Sequence, residues 1–132
     1  MNDCENEVYT RIANVLRENF PNINLSGTYV RSPSSFPHVC IIQNDNSVVD
    51  SKLDSGYGEY SSVMFEINIY SNKTSGKKAE CKAIAKVIDN VMFSMNMVRI
   101  ALTPISNLED ATIYRMVSRY RGITDGQFFY RR

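Results

Sequence analysis

Residues 61–72 read SSVMFEINIYSN and residues 77–95 read KKAECKAIAKVIDNVMFSM, and the change of hydrophobic period between them decides the fold. In the first stretch Val63, Phe65, Ile67 and Ile69 alternate with Ser62, Met64, Glu66, Asn68 and Tyr70, as in a strand with one buried face. In the second, Ala79, Ala83, Ile84, Val87, Ile88, Val91, Met92 and Met95 make one apolar stripe, while Lys78, Lys82, Lys86 and Asp89 lie opposite. That is an amphipathic helix, expected to be capped by Thr74 or Ser75.

Downstream, strand periodicity returns at Val98, Ile100 and Leu102 and ends near Pro104. It resumes from Ala111 to Gly122, and QFFYR at 127–131 reads as a last short strand. Upstream, Asp3 is expected to cap a first helix with Val8, Ile12, Val15 and Leu16 on one side and Phe20 just beyond. Glu5, Glu7, Arg11, Asn14, Arg17 and Glu18 fall on its other side, and Pro21 stops it. Strands are then expected at Asn24 to Arg31 and at His38 to Asn44, separated by SPSSFP.

The resulting order, α-β-β-β-α-β-β with a short strand at the end, predicts an α+β fold. Strands and helices neither alternate strictly nor segregate, which favours a mainly antiparallel sheet with two helices packed on one face. At 132 residues with no internal linker, a single domain over 1–132 is expected. A long loop or hairpin is expected at 44–60, NDNSVVDSKLDSGYGEY, which carries Val48, Val49 and Leu53 in a polar setting. Those apolar residues either dock on something outside their own core or belong to a hairpin tip folding back on its own sheet.

Fifteen basic and fourteen acidic side chains give a formal charge of +1, so no long-range field draws the chain to nucleic acid or an anionic membrane. No apolar run approaches the roughly 20 residues of a membrane span. The polar, acidic start MNDCENEVYTR is unlike a secretory signal, so a cytoplasmic protein is expected. Cys4, Cys40 and Cys81 are odd in number and far apart, as suits three reduced thiols.

Catalytic constellations are missing from the sequence. His38 is the only histidine; it shares a strand face with Cys40, but neither an orienting group nor a nucleophile elbow accompanies them. Paired zinc-ligand spacing is missing too. The string NKTSGKK at 72–78 lacks the first glycine and the final Ser or Thr of a phosphate loop. Its lysines oppose the helix dipole, which points to an acidic partner surface. Gly56 and Gly58 read as a turn, and Asp50, Asp54 and Glu59 lack the calcium-loop rhythm. No catalytic, metal or cofactor site is therefore expected.

Arg115, Arg119 and Arg121 fall at alternate positions of one strand with Ile113 and Val117, and Arg131 and Arg132 end the chain. Guanidinium groups side by side call for carboxylates or phosphates. Either Glu66 and other acids of the same sheet pair with them, or the face meets a neighbouring subunit or forms a lumen wall. Met64, Tyr70, Tyr114, Met116, Tyr120, Phe128 and Tyr130 supply the side chains that interface cores favour. Val48, Val49, Leu53, Tyr57, Arg115, Arg119, Arg121 and Arg131 are the expected interface residues.

In size, element order and three strings, the chain resembles the tail-terminator or tail-completion proteins of long-tailed bacteriophages and phage-tail-like particles. The strings are Tyr70-Ser71-Asn72 closing a strand, Lys77-Lys78 opening a helix, and ATIYRMVSRYRG at 111–122. The resemblance covers residues 61–132 well and the first 60 by layout. It implies a structural, non-enzymatic virion protein, assembled in the host bacterial cytoplasm and located at the tail-neck junction. A homo-hexameric ring would cap the tail tube, end its polymerisation and join the head or neck. Implied partners are the tail tube protein and a head-completion, neck or sheath protein, with DNA passing through the lumen unread. Neighbouring head-completion and tail-tube components share such a fold. A small cytoplasmic enzyme or ligand-binding module using His38 and the Gly56 to Tyr60 loop is the alternative of a different class. Nucleic-acid binding through the arginine row is a third, and would show steep salt dependence.

Overall fold

The computed structural model describes residues 2–49, 60–106, 110–125 and 129–130. Two helices, α1 (Glu5–Asn19) and α2 (Lys77–Ser94), accompany β1 (Asn24–Ser26), β2 (His38–Val48), β3 (Ser61–Ser71), β4 (Val98–Ile105), β5 (Tyr114–Thr124) and β6 (Phe129–Tyr130). The sheet runs β1-β2-β3-β5-β4, with β6 paired to β5. Only the short β1–β2 pair is parallel; β2–β3, β3–β5, β4–β5 and β5–β6 are antiparallel. This is the expected α+β architecture.

Strand β3 lies at the centre because its apolar alternation suits a position paired on both sides. Val63, Phe65, Ile67 and Ile69 are fully buried and join Val39 and Ile41 of β2 and Met116 and Tyr120 of β5. Val8, Ile12 and Leu16 of α1 and Ile84, Ile88 and Met92 of α2 close the same cluster, placing both helices on one face of the sheet. Each such side chain contributes about 1.5–3 kcal/mol of transfer free energy, so this layer dominates the stability.

Several local expectations are corrected. The buried stripe of α2 is Cys81, Ile84, Ala85, Ile88, Val91 and Met92, whereas Ala79 and Ala83 face solvent. Large side chains set the rotation of a helix, and alanines carry too little apolar area to oppose them. Neither Thr74 nor Ser75 caps α2; the N-cap is Gly76, with φ 86°. A left-handed residue there suits glycine. At α1 the N-cap is Cys4, while the Asp3 carboxylate, one residue further out, accepts the Glu5 N–H at 3.2 Å.

Strand β1 ends at Ser26 rather than Arg31, and the chain then crosses to β2 through a cis Phe36–Pro37 bond. Residues 44–48, expected in a loop, extend β2, with a bulge between Gln43 and Asp45. A further backbone bond, from Val49 N–H to Tyr60 O at 2.9 Å, continues the β2–β3 pairing by one step; residues 50–59 of the expected 44–60 loop or hairpin lie outside the described residues. Strand β4 also bulges, between Arg99 and Ala101, so Val98 and Leu102 do not share a face as their spacing implied.

Candidate interaction surfaces

Opposite residues of an antiparallel pair share a face. The register therefore sets Tyr70, Glu66 and Met64 beside Arg115, Arg119 and Arg121 on the side of the sheet away from the helices. The three arginines share a face as expected, and two have partners within the chain. Arg119 donates Nε and Nη2 to Glu66 Oε1 at 3.1 and 3.0 Å. Arg115 donates the same two groups to Asn68 Oδ1 at 3.1 and 2.7 Å. Its guanidinium carbon lies 5.6 Å from the ring centres of both Tyr29 and Tyr70, a double cation–π contact. Arg121 is partly buried, and its Nε has no hydrogen-bond partner among the described residues. Arg131 lies outside the described residues.

On the hairpin, Val48 is 45% exposed and Val49 partly buried. Leu53 and Tyr57 fall outside the described residues. Beyond Cys40, β2 is paired on one side only, to β3, because β1 reaches only His38 to Cys40. Among the described residues, that end of the sheet therefore offers a free edge at residues 41–48. Beside it, Glu5, Asn6 and Tyr9 of α1 form a shallow groove with Gly27, Thr28 and Ile41.

The opposite edge is β4, paired among the described residues only to β5. Val98, Ile100, Leu102 and Ile105 are all exposed there, an unusual apolar density for an edge strand. Between β4 and α2 runs an open groove of about 640 Å³ lined by Lys82, Ala83, Lys86, Asp89, Arg99 and Leu102. Phe93, one turn beyond Asp89, is 71% exposed. The wall positions are fixed by Asp89: its Oδ1 accepts the Tyr120 hydroxyl at 2.9 Å and lies 3.5 Å from Arg99 Nη1. One carboxylate thereby joins α2, β5 and β4.

The chemistry expected to be weak elsewhere has structural partners. His38 Nε2 and Cys40 Sγ both meet Ser26 Oγ, at 3.2 and 3.4 Å, and the imidazole stands edge-on to Tyr70. Burial lowers the His38 pKa. The three cysteines are free and buried. Burial pushes the Cys4 thiol up to about 11 and the Cys81 thiol up to about 12. Lys73 lies 3.8 Å from Glu80, whose other oxygen accepts the Ser71 hydroxyl at 2.6 Å. Among the described residues no group of three His, Cys, Asp or Glu could hold a metal ion, and no helix is long and apolar enough to cross a membrane.

A chain from a virion structure shares this fold. It comes from a structure described as the virion of a native gene transfer agent particle. The two superpose with a TM-score of 0.62 at 15% sequence identity, over 86% of this chain and 88% of the other. No family model matches the sequence, and no curated protein does. The surface that sequence reasoning missed is the α2–β4 edge. Its signal was present in Phe93 and in the apolar residues Val98, Ile100, Ala101 and Leu102 around Arg99, but those residues read equally well as ordinary core.

Proposed function

We propose that this chain is a structural protein of a phage-like particle, and that it forms a ring, with six copies implied by its resemblance, which caps the tail tube and joins it to the head or neck. The observation that carries this is the near full-length match to a gene transfer agent virion chain, together with two free sheet edges at opposite ends of one sheet. Free edges of different residue content suit a heterologous, head-to-tail contact, which closes into a ring when the rotation per subunit allows. Val48, Val49, Leu53 and Tyr57 on the hairpin, and Arg115, Arg119, Arg121 and Arg131, are the positions proposed to meet neighbouring subunits or partners. Arg119 and Arg115, already held by Glu66 and Asn68, would act there as pre-ordered donors.

In this role the chain transforms no substrate and needs no cofactor. Its partners are further copies of itself, the tail tube protein and a head-completion, neck or sheath protein, with DNA passing through the lumen. The test is the native mass of the purified protein, alone and after mixing with assembled tail tubes, combined with negative-stain imaging. A hexamer, or a ring appearing only at tube ends, is the expected result. A chain that neither associates nor caps tubes overturns the terminator role. Binding to head or neck particles instead would assign it a head-completion role.

A further inference from the structure

The sheet face away from the helices carries the guanidinium groups of Arg115, Arg119 and Arg121, and Glu66 is the carboxylate set among them. That carboxylate is spent inside the sheet. Its Oε1 accepts from Arg119 at 3.1 and 3.0 Å, and its Oε2 accepts the Asn68 amide at 3.1 Å. Asn68 in turn holds Arg115 through Oδ1. Arg121 stands outside this chain of bonds. By register it is flanked by Met64 on β3 and Val98 on β4, with Arg119 and Ile123 on either side of it along β5. Its Nε is buried and meets no acceptor among the described residues. Asp45 shares the face, but the register puts it two strands away beyond Met64, a distance of about 10 Å.

We infer that Arg121 anchors a carboxylate brought by another protein of the particle: an Asp or Glu side chain set among apolar residues, docking on the helix-free face of the sheet. The inference rests on the structural role proposed above and assigns the chemistry of one of its contacts. A partly buried cation bordered by Met64, Val98 and Ile123, beside the like charge of Arg119, is unfavourable until an anion joins it. A guanidinium fork matches a carboxylate with two parallel hydrogen bonds. Val98, 44% exposed beside it, supplies apolar area that shields such a pair from water. A nucleic-acid backbone fits this face less well, because the Glu66 carboxylate interrupts the arginine row and the borders of Arg121 are apolar. The chain's own acids Glu7, Glu66, Glu80 and Asp89 are each engaged within it, by Arg11, Arg119, Lys73 and Arg99, which favours a different protein over a second copy.

Arg121→Met and Arg121→Lys in the full chain test this, with Lys86→Met removing the same charge from the exposed side of α2 as a control. Two quantities are read for each: the urea midpoint of the free chain, and pelleting with assembled tail tubes, or with head or neck particles if those are what the unaltered chain binds. Arg121→Met should leave the midpoint unchanged or raised, because it removes a cation without an acceptor, and should weaken particle binding by about tenfold or more. Arg121→Lys, which keeps the charge and loses the fork, should fall between, and Lys86→Met should bind like the unaltered chain. The inference is overturned if Arg121→Met binds undiminished, if Lys86→Met loses as much, or if the midpoint of Arg121→Met falls along with binding, since that marks a structural arginine. It is also overturned if Arg121→Met abolishes self-association of the chain alone, which makes a second copy the occupant, or abolishes binding to a 30-base-pair DNA duplex, which makes it a phosphate backbone. In each of those cases the structural role stands. If the unaltered chain neither associates nor binds any of these particles, both fall.

Discussion

Removing one hydroxyl should measure how firmly α2 is tied to the sheet beside the open groove between α2 and β4. Tyr120 is 1% exposed, and its hydroxyl donates to Asp89 Oδ1 at 2.9 Å. Tyr120→Phe keeps the ring packed and deletes that bond. Hydrogen bonds to charged groups contribute about 1.5–3 kcal/mol. The Asp89 side chain is 38% exposed and retains Arg99, so the low end, about 1.5 kcal/mol, is expected. With a urea slope of about 2 kcal/mol/M, the unfolding midpoint should fall by about 0.75 M with no change in slope. Asp89→Asn keeps an acceptor for the tyrosine and loses only a half-exposed ion pair, so it should cost less than about 1 kcal/mol. The reasoning is refuted if Tyr120→Phe shifts stability by less than about 0.3 kcal/mol, or if Asp89→Asn is the more damaging change.

Three further outcomes are expected. Because burial raises Cys4 to about 11 and Cys81 to about 12, their unfolded thiols ionise first. Stability should be unaffected by these groups below about pH 9 and fall as pH rises toward 11–12, while a thiol reagent at pH 8 labels the cysteines only after denaturation. The lowered His38 pKa acts at the other end: the unfolded chain takes up the proton more readily, so stability should decline as pH falls below 6.5, and His38→Gln should flatten that slope in acid titrations of the melting temperature. Gly76→Ala should cost about 1 kcal/mol in denaturant unfolding through backbone strain alone, since a Cβ there meets nothing within 4 Å; Gly76→Asn should cost less.

Where a residue's burial and its periodicity agree, the chain could be read directly. The alternation of Val63, Phe65, Ile67 and Ile69 identified a strand with one buried face, and all four side chains are buried, whereas its central place in the sheet was not legible. The arginine face was legible for the same reason, and so was Glu66 as its in-sheet acid. Asn68 and Tyr29 as partners of Arg115 were not, because nothing local announces that the segment after β1 reaches back across the sheet. Bulges near Gln43 and Ile100 were also hidden, since one extra residue changes facing without changing composition. The polar run from Asn44 to Ser47 was read as loop because its strand character comes from pairing with β3.

Strand β4 carries a consequence for how such a protein waits before use. The strand is eight residues long, is interrupted by the bulge at Ile100 and lacks an amide donor at Pro104. A kinked, proline-containing edge offers too few consecutive hydrogen bonds to recruit strands indiscriminately, however apolar its side chains. On the proposed ring role, the free chain should therefore resist fibre growth while it is dilute. Under the ring proposed above, growth in number would begin only where neighbours are already held close together, with a template rather than concentration alone setting the timing.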